Sequence, residues 1–219
     1  MRIPSVIAAI APDGRLSPRQ RRRFLIDMCK RRIRPGAGSA TEFLRQRTAM
    51  NPWPDLRGVL KGIPWLIVGG VATRVYMPER ATQDLDVLVR QEDEAKVLDC
   101  LQAAGYKVIS HLATGGWLAH SPEGAELDIL LGNAPWLNEA LANPRLDPAG
   151  YPVIDLPYLT LMKLESSRSL DMGDLARMLG LASEQELERV RQVVEQYSPQ
   201  DLEDLESLIY LGKLELGLV

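Results

Sequence analysis

The sequence of 219 residues holds only two cysteines, Cys29 and Cys100, and two histidines, His111 and His120. Neither cysteine has a CxxC partner or a Cys/His neighbour, which excludes zinc-finger and dithiol redox chemistry. A histidine-based metal site has too few ligands. Both cysteines lie in segments of helical pattern, and two buried thiols in a reduced cytoplasm are expected; the histidines read as ordinary strand residues. Aromatic residues are sparse, and the four tryptophans, Trp53, Trp65, Trp117 and Trp136, are too scattered to suggest a base-stacking platform. No apolar run approaches the roughly 20 residues of a membrane-spanning helix. The longest, Ile63–Ala72, is broken by Pro64 and Gly69–Gly70. Met1–Ala11 is not read as a signal peptide, because it contains Pro4 and leads into the turn Pro12–Asp13–Gly14 rather than a cleavage site. The expectation is a cytoplasmic protein without a membrane partner.

The composition that remains, 46% hydrophobic and 25% charged, is that of a globular chain. Its net charge of −3 hides a division. Through Arg47 there are 12 basic and 3 acidic residues, a net +9, and the rest carries 14 against 26, a net −12. Three parts follow: a basic helical segment over 1–54, a core over 55–135 and a helical region over 136–219. In the first, Ser17 is an N-cap, Pro18 occupies a first-turn position that needs no N–H, and a helix runs to about Arg34 before Pro35–Gly36. Phe24, Leu25, Met28 and Cys29 form its apolar stripe. Its arginines, Arg19 to Arg34, suit either docking on the acidic body or a partner protein, or an RNA backbone, with docking slightly favoured. Ser39 and Glu42 suggest a capping box for a second short helix.

In the core, Trp65–Val68 reads as a buried strand and Val71–Tyr76 as a helix. Asp84–Val89 reads as a second strand and Gln91–Ala104 as an amphipathic helix closed by Gly105. Tyr106–His111, Trp117–His120 and Glu126–Leu131 read as further strands, the last two joined by a turn at Ser121–Gly124. The fold class is therefore α+β, a mixed β-sheet flanked by helices. Beyond Asn133 the pattern is helical. It predicts one helix over Leu156–Ser169, another over Gly173–Leu179, a third capped by Ser183 and Glu186, and a last from Ser198–Pro199 to about Leu211, stopped by Gly212.

Three features of the core carry chemistry. Asp84 and Asp86 are two apart, so their side chains leave one face of a strand. Paired carboxylates repel each other and are best tolerated around a cation, and hard oxygen ligands suit Mg2+ or Mn2+. Gly69–Gly70, between a strand and a helix, leaves room for a phosphate at the helix N-terminus. Asp128 begins a later strand, with Glu126 on the same face; Glu126 reads as the partner of a nearby cation rather than a metal ligand. Together these predict two metal ions held by Asp84, Asp86 and Asp128, a nucleoside triphosphate tail against Gly69 and Gly70, and in-line attack on the α-phosphate. Asp128 is a metal ligand, a general base, or both.

The stretch Ile67–Val68–Gly69–Gly70–Val71–Ala72–Thr73–Arg74, followed by Arg80–Ala81–Thr82–Gln83–Asp84–Leu85–Asp86, resembles the GG…T-x-D-x-D signature of the nucleotidyltransferase-fold superfamily, related to polymerase-beta-like enzymes. Glu126–Leu127–Asp128 is similar to its third-carboxylate strand. Asp155 to Lys163, continuing through Arg168, Asp171 and Asp174, is similar to the helical region of small bacterial abortive-infection and toxin–antitoxin members. The resemblance covers about Leu66–Leu179. It implies transfer of a nucleoside monophosphate from an NTP with Mg2+ or Mn2+, to RNA, protein or a small molecule. It also implies nucleotide contacts at Gly69, Gly70, Arg80, Thr82 and Lys163, the lysine approaching phosphate. Residue by residue, a snorkelling Lys163, a solvated Arg80, and helix-start roles for Asp171 and Asp174 stand as the alternatives. Two departures are the second glycine in place of the family's frequent serine, and Ser166–Ser167 in place of small apolar residues. A binding protein that has kept the fold without catalysis is the alternative reading of the whole.

Overall fold

The computed structural model describes residues 5–13, 15–33, 53–77, 82 and 84–219. The chain divides into two compact units, one of residues 40–159 and the other of 1–39 with 160–219. The predicted capping box at Ser39 and Glu42, and Arg80, lie outside the described residues.

The first unit is built on a sheet, seven-stranded among the described residues, in the order β3-β4-β5-β2-β1-β7-β6. Its strands are β1 (Trp65–Val68), β2 (Leu85–Arg90), β3 (Lys107–His111), β4 (Gly116–His120), β5 (Glu126–Gly132), β6 (Arg145–Leu146) and β7 (Pro152–Val153). β2 runs parallel to β5 and β1 parallel to β7, and the other neighbours are antiparallel, so the sheet is mixed as expected. Leu66, Val68, Leu85, Val87, Val89, Leu127 and Ile129 are buried. The alternation along β2 and β5 leaves Asp86 and Asp128 partly exposed between buried neighbours. Two helices join the strands, Gly69–Tyr76 and Glu94–Ala103, the latter entered through a 3-10 turn at Gln91–Asp93 rather than as one continuous helix. A further helix, Leu137–Ala142, follows β5. Beyond Asn133 the expected all-helical pattern holds for this helix and is then interrupted by β6 and β7. Two-residue strands are too short to show a period of two in the sequence.

The second unit is helical. Helix Pro18–Arg32 opens with the predicted N-cap, Ser17, completed as a capping box by the Gln20 side chain, which accepts from Ser17 N–H. The buried face of this helix carries Arg22 and Ile26; Phe24 and Leu25 are half-buried and Met28 is exposed. The expected apolar stripe is thus displaced, because Arg22 has buried acceptors to reach. It donates to Asp204 Oδ2 at 2.8 Å, Asp201 Oδ1 at 2.5 Å, Ser167 Oγ at 2.9 Å and the Leu164 carbonyl. Cys29 is exposed and Cys100 partly so, against the expectation of two buried thiols.

The two helices predicted over Leu156–Ser169 and Gly173–Leu179 are both present, with the break between them earlier than expected. Leu156–Ser166 ends where Ser167 takes a left-handed φ of 49°, and Ser169–Leu181 follows. Glu184–Tyr197 has the predicted Ser183–Glu186 capping box. The last helix, Leu202–Glu215, is preceded by a 3-10 turn at Pro199–Asp201 and passes through Gly212 instead of stopping there. The reason is packing. A Cβ on Gly212 would lie 1.8 Å from the Ala176 carbonyl oxygen, and one on Gly180 would lie 2.5 Å from Gly212 C. The two helices cross at backbone contact, which only glycine permits.

Candidate active site

The sheet register builds the site. Asp86 on β2 lies directly opposite Asp128 on the parallel strand β5, and opposite Val68 on β1. Asp84, the predicted strand start, immediately precedes the first residue of β2 and carries its carboxylate to the same place. Oxygens of Asp84, Asp86 and Asp128, each half-buried, lie within 4.8 Å of one another. Burial first, then the like charges of Asp84 and Glu126, push the Asp128 carboxyl above the usual carboxylate range. Three hard oxygen donors at this spacing form a donor set suited to Mg2+ or Mn2+. Glu126 is outside this group and faces His120, Nε2 to Oε1 3.8 Å. His111 stacks on Trp117, ring centroids 3.5 Å apart, and the Trp117 indole N–H donates to Glu94 at 2.7 Å. The two histidines therefore have strand neighbours, as expected.

The glycine pair sits against the carboxylates. Helix Gly69–Tyr76 starts directly at the end of β1, with Gly69 at φ +60°, and Thr73 Oγ1 donates to the Gly69 carbonyl at 2.8 Å to close the first turn. A Cβ on Gly69 would lie 1.9 Å from Asp86 Oδ2, and one on Gly70 would lie 2.7 Å from Thr82 Oγ1. The space freed by the missing side chains is taken up by this chain's own Asp86 and Thr82. The Thr82 hydroxyl in turn donates to Asp84 Oδ1. Tyr76, at the end of the helix, donates to the Ile154 carbonyl at 2.9 Å and ties the helix to the segment after β7.

Of the residues singled out from the sequence, Asp84, Asp86, Asp128, Gly69, Gly70 and Thr82 meet here. Lys163 belongs to the helical unit. It is 5% exposed, and its Nζ donates to Asp171 Oδ1 at 3.0 Å and Asp174 Oδ2 at 2.7 Å. Asp171 also accepts from Arg168 Nε at 2.7 Å and from Ser166 Oγ at 2.5 Å. The two aspartates, which the sequence offered as helix-start residues, are buried partners of Lys163. Nothing in the apolar pattern of Leu156–Ser166 announces that pairing, since its acceptors come from the following helix.

Residues 59–134 match the family model described as aminoglycoside-2''-adenylyltransferase. The matched span runs from before β1 to just past β5 and takes in the three carboxylates and both glycines. On this match the core is that of a nucleotidyltransferase enzyme. The abortive-infection and toxin–antitoxin branch suggested by sequence resemblance has no counterpart in it. Comparison with curated protein sequences finds no match. Among solved structures, the chain is similar to a solution structure of the antibiotic-resistance factor ANT(2'')-Ia, at 14% identity over 72% of this chain and 87% of that one, TM-score 0.40. It is similar to a crystal structure of ANT(2'')-Ia in complex with adenylyl-2''-tobramycin, at 18% identity over 71% and 92%, TM-score 0.39. It is also similar to the Thermotoga maritima CCA-adding enzyme complexed with tRNA, at 14% over 78% and 50%, TM-score 0.35. Identities and TM-scores at this level define no substrate for this chain. Among the described residues, no helix is long and apolar enough to cross a membrane.

Proposed function

We propose that the chain is a divalent-metal-dependent nucleotidyltransferase that moves a nucleoside monophosphate from an NTP to an acceptor hydroxyl. The observation that carries this is the convergence of Asp84, Asp86 and Asp128, oxygens within 4.8 Å, against the strand-to-helix glycines. In the reaction a bond forms between the acceptor oxygen and the α-phosphorus, the bond to the pyrophosphate oxygen breaks, and the hydroxyl proton is taken up. Asp84, Asp86 and Asp128 would hold the ion, and Asp128 would also receive the hydroxyl proton. A divalent ion bound there supplies charge neutralisation on the phosphates and an acceptor hydroxyl of lowered pKa. The backbone at the N-terminus of helix Gly69–Tyr76 offers N–H donors to the triphosphate.

For the acceptor, a cationic small molecule bearing hydroxyls is favoured over RNA or protein, with ATP as donor, in keeping with the description of the matched family. The charge beside the site supports it. Exposed Glu126 stands beside Asp128 and would attract an amine. The basic helix meanwhile spends Arg19, Arg22 and Arg23 on Asp201, Asp204 and Glu203 of its own unit, which favours the docking reading of its arginines over RNA binding. A role in toxin–antitoxin or phage-defence systems rests on sequence resemblance alone.

The test is incubation of the purified chain with each α-labelled NTP and Mg2+ or Mn2+, in separate reactions with aminoglycosides, total RNA and lysate protein. A labelled cationic product that disappears with Asp84→Asn is expected. Equal labelling by wild type and Asp84→Asn, or no product from any acceptor, would overturn the reading.

A further inference from the structure

The geometry points to Thr82 as the positioning residue for Asp84, seated by Gly70, rather than a contact to the nucleotide. This rests on the metal-dependent reading above and adds to it how one of the three carboxylates is aimed. Asp84 lies outside the sheet ladder, one residue before β2, so no strand pairing holds its backbone in register as it holds Asp86 and Asp128. A side chain in that position needs its direction set by something else. The Thr82 hydroxyl supplies it by donating to Asp84 Oδ1, which leaves Oδ2 as the other donor oxygen of that carboxylate.

Thr82 is placed in turn by the helix. Its Oγ1, Cβ and Cγ2 lie 2.7, 2.8 and 3.2 Å from the point where a Cβ on residue 70 would stand. Any side chain at position 70 would push the threonine off the aspartate. The two consecutive glycines thus have parallel duties: Gly69 makes room for the Asp86 carboxylate and Gly70 for the threonine that holds Asp84. A hydroxyl hydrogen-bonded to a metal-binding carboxylate orients the ligand oxygen, and loss of such outer partners lowers metal affinity or activity about 10–100-fold.

The experiment is a titration of the full chain with Mn2+, followed by the paramagnetic signal of the free ion, for wild type, Thr82→Val, Thr82→Ser and Asp84→Asn. Thr82→Ala is a second variant without the hydroxyl, and circular dichroism checks the fold of each. Thr82→Val and Thr82→Ala are expected to weaken Mn2+ binding about tenfold or more, towards the level of Asp84→Asn, while Thr82→Ser stays near wild type. In the transfer assay kcat falls for Val and Ala with the KM for NTP little changed, and Ser restores it. Wild-type Mn2+ affinity in Thr82→Val and Thr82→Ala overturns the inference. So does a rise confined to the KM for NTP, which would make Thr82 a nucleotide ligand, and so does a wild-type chain that binds no Mn2+. A wild type that binds Mn2+ but transfers no nucleotide defeats the transferase reading alone, and the titration still decides Thr82.

Discussion

Charge is buried in this chain under two regimes. In the sheet unit, the carboxylates of Asp84, Asp86 and Asp128 converge, and burial together with the charge of Asp84 raises the Asp128 pKa. Proximity of this kind costs stability until a cation arrives. Asp128→Asn is therefore expected to raise the Tm of the metal-free protein slightly while abolishing transfer, as read by thermal unfolding in EDTA beside the labelling assay. In the helical unit, by contrast, each buried cation is matched. Lys163 faces Asp171 and Asp174, and Arg22 faces Asp201 and Asp204. Removing a partner leaves a buried charge uncompensated, so Lys163→Met and Arg22→Met should each cost about 3–5 kcal/mol, measured by urea unfolding. A fall well below 1 kcal/mol for Lys163→Met would mean that the lysine is not committed to these aspartates.

At the scale of elements, helices Ser169–Leu181 and Leu202–Glu215 approach so closely at Ala176, Gly180 and Gly212 that no side chain fits between their backbones. Gly212→Ala has to push the helices apart and should destabilise by about 1–3 kcal/mol or more, despite alanine's better helix propensity. The size of that change, read in urea, reports how tightly the two helices are packed there. The caps are the legible part of this architecture. Ser17 with Gln20 and Ser183 with Glu186 form capping boxes, the second read in full from the sequence and the first as its N-cap serine. Their signal is local, three residues apart. The sequence also predicts a break between helices Leu156–Ser166 and Ser169–Leu181, but after Ser169; its place at Ser167, where Arg22 reaches the Leu164 carbonyl and Ser167 Oγ from the other end of the chain, it does not.

For the whole molecule, pH and metal should act on stability through different units. Burial pushes the Asp171 carboxyl up, but hydrogen bonds from Arg168 and Ser166 and the Lys163 charge outweigh it, and its pKa is lowered. A group depressed in the folded state contributes stability above its unfolded pKa of about 3.9, and loses it as pH falls through the lower folded value. The stability contributed by Asp171 is therefore expected to disappear on acidification below about pH 4. Asp171→Asn should show a flatter dependence of Tm on pH between about 4 and 2 than wild type, on a lower baseline. Metal is expected to act on the sheet unit. Mn2+ at saturating concentration should raise Tm, and Asp84→Asn/Asp86→Asn should cancel the rise, because only a ligand that prefers the folded state stabilises it.

The sequence by itself determined the features whose cause lies within a few residues. These are the β1–glycine–helix segment, the Asp84–Leu85–Asp86 spacing that puts two carboxylates on one face, the strand bearing Asp128, and the serine N-caps. Alternation of apolar and polar residues and hydrogen bonding over three positions are local forces, and they survive in a linear reading. Tertiary structure alone decided that Asp86 and Asp128 lie side by side in register, and that Gly69 and Gly70 yield their space to Asp86 and Thr82. It also decided that Gly212 is a crossing point rather than an end, and that Arg22, not Phe24 or Met28, is the buried residue of the basic helix. Each of those outcomes is set by a neighbour distant in sequence, through volume or buried charge, and neither leaves a periodic trace.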